Sequence, residues 1–176
     1  MNNISEIKAR LKVIKQTMQL TRAMYLISTG KIKKALNSYE SNQIYFNKVR
    51  YAMKDILTHS EKLSHRYLLD EHKPGRKTAY IVIAGNKGMA GGYNNNVCQA
   101  AYEHMVKLQD DVEPYIITIN QMAYDFFVHK GISDSISNRL IANEPKLYHA
   151  RHIVQMIMQL YDDNVIDELY VAYTHM

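Results

Sequence analysis

From Ile4 to Leu63 the sequence holds no proline and a single glycine, Gly30, and most of its other positions favour helix. A strong stop signal arrives only at Pro74-Gly75. Apolar residues recur at Ile4, Ile7, Leu11, Ile14 and Met18 with alternating spacings of three and four, and the pattern resumes at Val49, Ala52 and Ile56. The spacing predicts one coiled-coil helix, on the order of 90 Å long at 1.5 Å per residue. Much of such a helix must lie against something other than the rest of a chain this size.

Leu20, Met24, Ile27 and Leu36 fall around a second face that drifts away from the first seam. A straight two-helix seam needs only one stripe, so the drift predicts a partner that wraps the helix or contacts several sides. Lys12, Lys15, Arg22, Lys31, Lys33 and Lys34 are interleaved with these faces. Gly30 costs roughly 1 kcal/mol of helix propensity against alanine, a reason to expect close packing or a local bend there.

Charge sharpens the division. Residues 1–60 carry eleven Lys or Arg against Glu6, Glu40 and Asp55, a balance of +8, whereas residues 61–176 carry eleven basic against fourteen acidic residues, a balance of −3. The helical arm therefore calls for an acidic partner. DNA is a poor candidate, because the arm has only Arg10, Arg22 and Arg50 and is apolar throughout the same stretch. The fourteen tyrosines follow no RNA-binding strand motif. A protein partner fits best.

About 110 residues remain for a globular core, enough for a small α/β unit. An apolar content of 47% excludes a disordered tail. No run of eighteen apolar residues occurs, and the amino terminus carries no signal-peptide hydrophobic core. Asp70 to Gly75 reads as a boundary loop. Thr78–Ala84 then predicts a buried strand, followed by the glycine-rich stretch Gly85-Asn86-Lys87-Gly88-Met89-Ala90-Gly91-Gly92-Tyr93-Asn94 and an amphipathic helix from about Asn95 to Leu108. Tyr115–Asn120 is a second strand and Met122–His129 a short helix. Ile132–Ile136 is a weak third strand, Pro145–Leu160 a helix, and Val165–Tyr173 a last strand. The alternation predicts an α/β fold with a small, mostly parallel sheet flanked by helices.

Candidate chemistry is sparse. The glycine stretch matches neither G-x-G-x-x-G nor G-x-x-x-x-G-K-[ST], so it reads as a structural turn rather than a phosphate cradle. Of eight histidines only His149 and His152 share a helix face, and no acid or cysteine completes a local metal site. Cys98, the only cysteine, has no adjacent histidine and reads as a packing residue. Asp110-Asp111 and Asp162-Asp163 look like helix-end residues. No cofactor, metal or catalytic residue is expected.

Two separated segments carry a family resemblance. Ile7 to Leu36, IKARLKVIKQTMQLTRAMYLISTGKIKKAL, resembles the N-terminal shaft helix of the gamma subunit of F-type ATP synthases, with its N-T-x-x-I-T-[KR]-A-M and K-x-[KR]-K-A patterns. Ile81 to Asn94, IVIAGNKGMAGGYN, resembles that family's strand followed by D-R-G-L-C-G-G-x-N. The sequence departs from these patterns in three places: Gln16 stands for the usual Asn, Gly85-Asn86-Lys87 for a more usual polar-Asp-Arg sequence, and Ala90 for the frequent Cys.

The resemblance implies a Rossmann-like domain at 71–176 behind a coiled-coil shaft helix at 1–70. It places Thr21, Arg22, Met24, Lys31, Lys33 and Lys34 at partner contacts, and Gly88, Gly91, Gly92 and Asn94 in a structural turn. It also implies a non-catalytic central-stalk rotor subunit. The implied partners are the alpha and beta subunits, the epsilon subunit and the membrane c-ring, with no nucleic acid. The implied place is the cytoplasmic face of the bacterial plasma membrane, as a peripheral subunit. Family members continue past the strand resembling Asp167–Tyr173 into a second long antiparallel helix, whereas this sequence ends at Met176. A partial chain is the favoured reading, and a stand-alone structural adaptor the alternative.

Overall fold

The computed structural model describes residues 2–60, Tyr67, 75–108, 114–133, 136–141 and 146–175. Leu63, the Asp70–Pro74 boundary, Asp110, Asp111 and Pro145 lie outside them. The chain divides into two compact units, Met1–Arg66 and Tyr67–Met176.

The first unit is the helix that the proline-free stretch predicts. Helix α1 spans Asn2–His59, 58 residues, or about 87 Å of rise. Its described side chains are exposed nearly throughout, apolar ones included: Ile4, Leu11, Met18, Met24, Ile44 and Phe46 among them. Local bonds hold it. Arg10 pairs with Glu6 at 2.6 Å, and Thr17, Thr21, Thr29, Ser38, Ser41 and Thr58 each donate a hydroxyl to the carbonyl four residues back.

The second unit runs β1 (Thr78–Ile83), α2 (Tyr93–Leu108), β2 (Tyr115–Ile119), α3 (Gln121–His129), β3 (Ile136–Leu140), α4 (Leu147–Asp162) and β4 (Glu168–Ala172). Its strands form one sheet in the order β3-β2-β1-β4, and every pairing is parallel. In register, Ile81 of β1 faces Ile117 of β2 on one side and Val171 of β4 on the other.

Strand order decides where the helices go. The first two crossovers step in one direction across the sheet, while the third returns past β1 to β4. Right-handed crossovers therefore put α2 and α3 on one face and α4 on the other. Alternate strand residues fill the two layers. Tyr80, Val82 and Ile116 meet Val97, Cys98, Ala101, Ala123 and Phe127 on the α2–α3 face. Ala79, Ile81, Ile117 and Ile119 meet Ile157 and Ile166 on the α4 face. A central strand buried on both faces has to be apolar at every position, which is why Thr78–Ile83 reads as a continuous run rather than an alternation.

One strand is misplaced by periodicity. Ile132–Ile136 is the apolar candidate, but the ladder runs over Ile136–Leu140, while Ile132 donates its amide to Phe127 O at the end of α3 and packs on the α2–α3 core. The segment ISNRL lies at the sheet edge, where polar residues are tolerated and the apolar signal fades.

The entry to β4 is clasped to β1. Arg76 pairs with Glu168 at 2.5 Å, Asp167 Oδ2 accepts the Lys77 amide at 2.9 Å, and the Lys77 ammonium donates to Asn164 O. Asp162 and Asp163 close α4, with Asp163 as its C-cap.

Candidate interaction surface and glycine turn

On α1, each residue advances the direction of its side chain by about 100°. Arg22 and Lys33 consequently share one side of the helix, Met24 and Lys31 lie on the opposite side, and Thr21 and Lys34 flank them. All six are exposed. The expected contact residues are thus distributed around the helix rather than gathered on one stripe. One local grouping stands out. Ile14, Thr17, Met18, Thr21, Arg22 and Tyr25 line a shallow hollow that carries the first apolar seam onto the basic segment.

No acidic residue lies within four positions of Arg22, Lys31, Lys33 or Lys34, so intrahelical pairing cannot neutralise them. Eight cations fall between Glu6 and Glu40 without an intervening acid. Such a surface combines exposed apolar area with unneutralised positive charge. It suits an acidic protein surface with apolar contacts of its own, on more than one side of the helix.

The glycine turn sits at the carboxyl edge of the sheet, next to β1, where the strand order reverses. In open parallel sheets this position receives nucleotides. Here several of the amides at that edge are bonded to the protein itself. Asn94, buried at the start of α2, accepts the Gly85 amide on Oδ1 at 2.7 Å and donates Nδ2 to Lys87 O at 3.1 Å. The Tyr93 and Asn96 amides donate to Ala90 O and Gly92 O. The first amides of α3 are likewise taken, Gln121 N–H by Asn86 Oδ1 and Met122 N–H by Gly85 O. Asn120, at φ 74°, donates its side chain to Ala84 O at 2.8 Å.

The glycines have unequal roles. A Cβ on Gly85 would stand 2.8 Å from Asn94 Oδ1, a distance real side chains do not adopt. Gly91 takes φ +56°. A Cβ on Gly92 would stand 3.1 Å from the Asn96 side chain, whereas one on Gly88 would meet nothing within 4 Å. The remaining left-handed position belongs to Met89, at φ 58° and fully exposed. Gly85 is the position whose packing the motif does not announce, because its close neighbour is the Asn94 side chain, which would have to shift to admit a Cβ there.

Beyond the turn, Tyr80 OH lies 2.8 Å from His104 Nδ1 and stacks on Tyr170, whose hydroxyl donates to Glu168. These contacts join α2, β1 and β4 in a way no local motif announces. Arg139 on β3 donates to Gln121 and lies over the Tyr124 ring, and Gln121 donates to Asp125. Cys98 is buried in α2, and burial pushes its thiol from the ordinary 9.0 up to about 11, so it holds its proton at neutral pH. Among the described residues no group of three His, Cys, Asp or Glu side chains is arranged to hold a metal ion. No helix of the described residues is long and apolar enough to cross a membrane.

The architecture is thus a long helical arm that exposes apolar and basic residues, followed by a parallel α/β unit with an internally bonded carboxyl-edge turn. Residues 3–176 match the family model described as ATP synthase. The chain is 40% identical over 177 residues to the ATP synthase gamma chain of Acetivibrio thermocellus, an alignment covering 100% of this chain and 59% of that one. It is 37% identical over 180 residues to the ATP synthase gamma chain of Ruminiclostridium cellulolyticum, covering 99% and 59%. The Streptococcus uberis ATP synthase gamma chain is 32% identical over 173 residues, covering 98% and 60%. The chain belongs to the ATP synthase gamma-chain family. It spans about three fifths of the length of the curated relatives it matches.

Proposed function

We propose that the chain serves as central-stalk rotor material of an F-type ATP synthase. In this role α1 turns within a head of alternating alpha and beta subunits and passes torque between ion flow, of protons or sodium, and ATP synthesis or hydrolysis in that head. The observation that carries this reading is α1 itself, a 58-residue helix with exposed apolar residues around its circumference and eight cations between Glu6 and Glu40. A helix of that kind needs a sleeve. Likeness to relatives named as ATP synthase gamma chains supports taking the alpha and beta subunits as that sleeve.

In this reading the chain supplies no catalytic group. Arg22, Lys31, Lys33 and Lys34 meet acidic surfaces of the head, Thr21 and Met24 pack against it, and Gly88, Gly91, Gly92 and Asn94 shape the turn. The α/β unit faces the epsilon subunit and the c-ring, and the complex is peripheral to the cytoplasmic face of the bacterial plasma membrane. The units 1–70 and 71–176 act as shaft and collar.

Charge reversal provides the test. Lys33→Glu with Lys34→Glu, reconstituted with the other ATP synthase subunits, is expected to lower ATP-coupled ion pumping several-fold. The loss should exceed that of a Lys33→Gln/Lys34→Gln control. Assembly and coupled synthesis at the unsubstituted level would overturn the assignment of these lysines.

A further inference from the structure

We propose that α1 contains a built-in flexure at Ser28-Thr29-Gly30, separating its first apolar seam from the Lys31–Lys34 cluster. Three independent features converge there. Ile27, Ser28, Thr29 and Gly30 form a consecutive run of residues that favour helix less than alanine or leucine, ending in the one glycine of the helix. Thr29 also donates its hydroxyl to Tyr25 O at 2.8 Å, competing with the amide for that carbonyl, a bond that tends to bend helices. A Cβ on Gly30 would meet nothing within 4 Å, so within the unit no packing requires the glycine.

Electrostatics weakens the same place. Lys31 and Lys34 are like charges at i, i+3, as Lys12 and Lys15 are earlier in the helix, and the acids nearest to Lys31 and Lys34, Glu6 and Glu40, are too far along to pair with them. Elsewhere in α1, Arg10–Glu6 and His59–Asp55 supply i, i+4 contacts. Thr17, Thr21, Ser38, Ser41 and Thr58 form the same back-bond as Thr29, but none has a glycine beside it. Bending is therefore concentrated at one turn rather than spread along the helix. In the rotor reading, on which only this consequence rests, the flexure lets the seam and the lysine cluster follow differently oriented parts of the surrounding surface.

Distance measurements between paired spin labels on the whole chain test the flexure without any partner. In a Cys98→Ala background, labels at Arg22→Cys and Ser38→Cys span the flexure. Labels at Asn37→Cys and Met53→Cys span an equal control length, each pair separated by about 24 Å of helical rise. The expected result is a distance distribution about twice as wide, and shifted to shorter distances, for the first pair, narrowing to the control width when Gly30→Ala is added. Equal widths for the two pairs, or a broad first pair that Gly30→Ala leaves unchanged, would overturn the proposal. Failure of the rotor reading would leave these distances unaffected.

Discussion

Cys98 and Thr118 are buried in the same α2–α3 side of the sheet and carry opposite lessons about polar atoms in an apolar layer. The Cys98 thiol is raised to about 11, so as pH climbs past about 9 the unfolded chain ionises first. Its contribution to stability is complete below that pH and is lost as pH rises through 11, by on the order of 2 kcal/mol. Denaturant titrations between about pH 8 and 11 should therefore fall more steeply for the natural chain than for Cys98→Ala, in which this component is absent. Thr118 Oγ1 is buried with no hydrogen-bond partner. Thr118→Val keeps the branched shape and removes the stranded hydroxyl, so it should raise unfolding free energy by about 1 kcal/mol, read as a higher urea midpoint. Reading Cys98 as a packing residue anticipated its burial, whereas nothing in the residue's identity announced the stranded hydroxyl of Thr118. Both effects follow from zero exposure, which depends on what packs above β2 and α2.

Among the elements, the glycine turn shows how a loop becomes rigid. Asn94 bridges Gly85 and Lys87, while Asn86 and Asn120 tie the same loop and the end of β1 to the start of α3. Three asparagines thus tie this edge together from within. Asn94→Ala strands the Gly85 amide and the Lys87 carbonyl and should cost about 2–3 kcal/mol. Amide exchange at Gly85 and the adjoining turn should accelerate far more than exchange in β2. The motif match pointed to Gly88, Gly91, Gly92 and Asn94 together, but a Cβ on Gly88 would meet nothing, whereas one on Gly85 would press on the Asn94 side chain. Spacing in sequence shows that a turn forms; it cannot show which Cβ would collide with a side chain arriving from nine residues away. The polar edge strand β3 was equally hard to read, because sheet-edge residues owe their conformation to ladder bonds with β2 rather than to a pattern of their own.

For the whole molecule, local chemistry and long-range contact divide the information cleanly. Helix α1, the apolar strand β1, the helix after the glycines and the amphipathic α4 were legible in the sequence because periodicity and breakers act within a few residues. The charge split that marks α1 as a surface awaiting an acidic partner is likewise a property of composition. The strand order β3-β2-β1-β4 is different in kind, for it depends on pairings between segments tens of residues apart and on the return crossover through α4. So do the clasp of Arg76 on Glu168, 92 positions along, and the closure of Ala84 by Asn120. The amino-acid sequence by itself determined that this chain makes a long basic helical arm and an alternating α/β unit. Only the tertiary structure decided that Asn86, Asn94 and Asn120 bond the sheet edge together and that Asn94 packs on Gly85, because those contacts exist only once separate backbone segments have been brought within hydrogen-bonding distance.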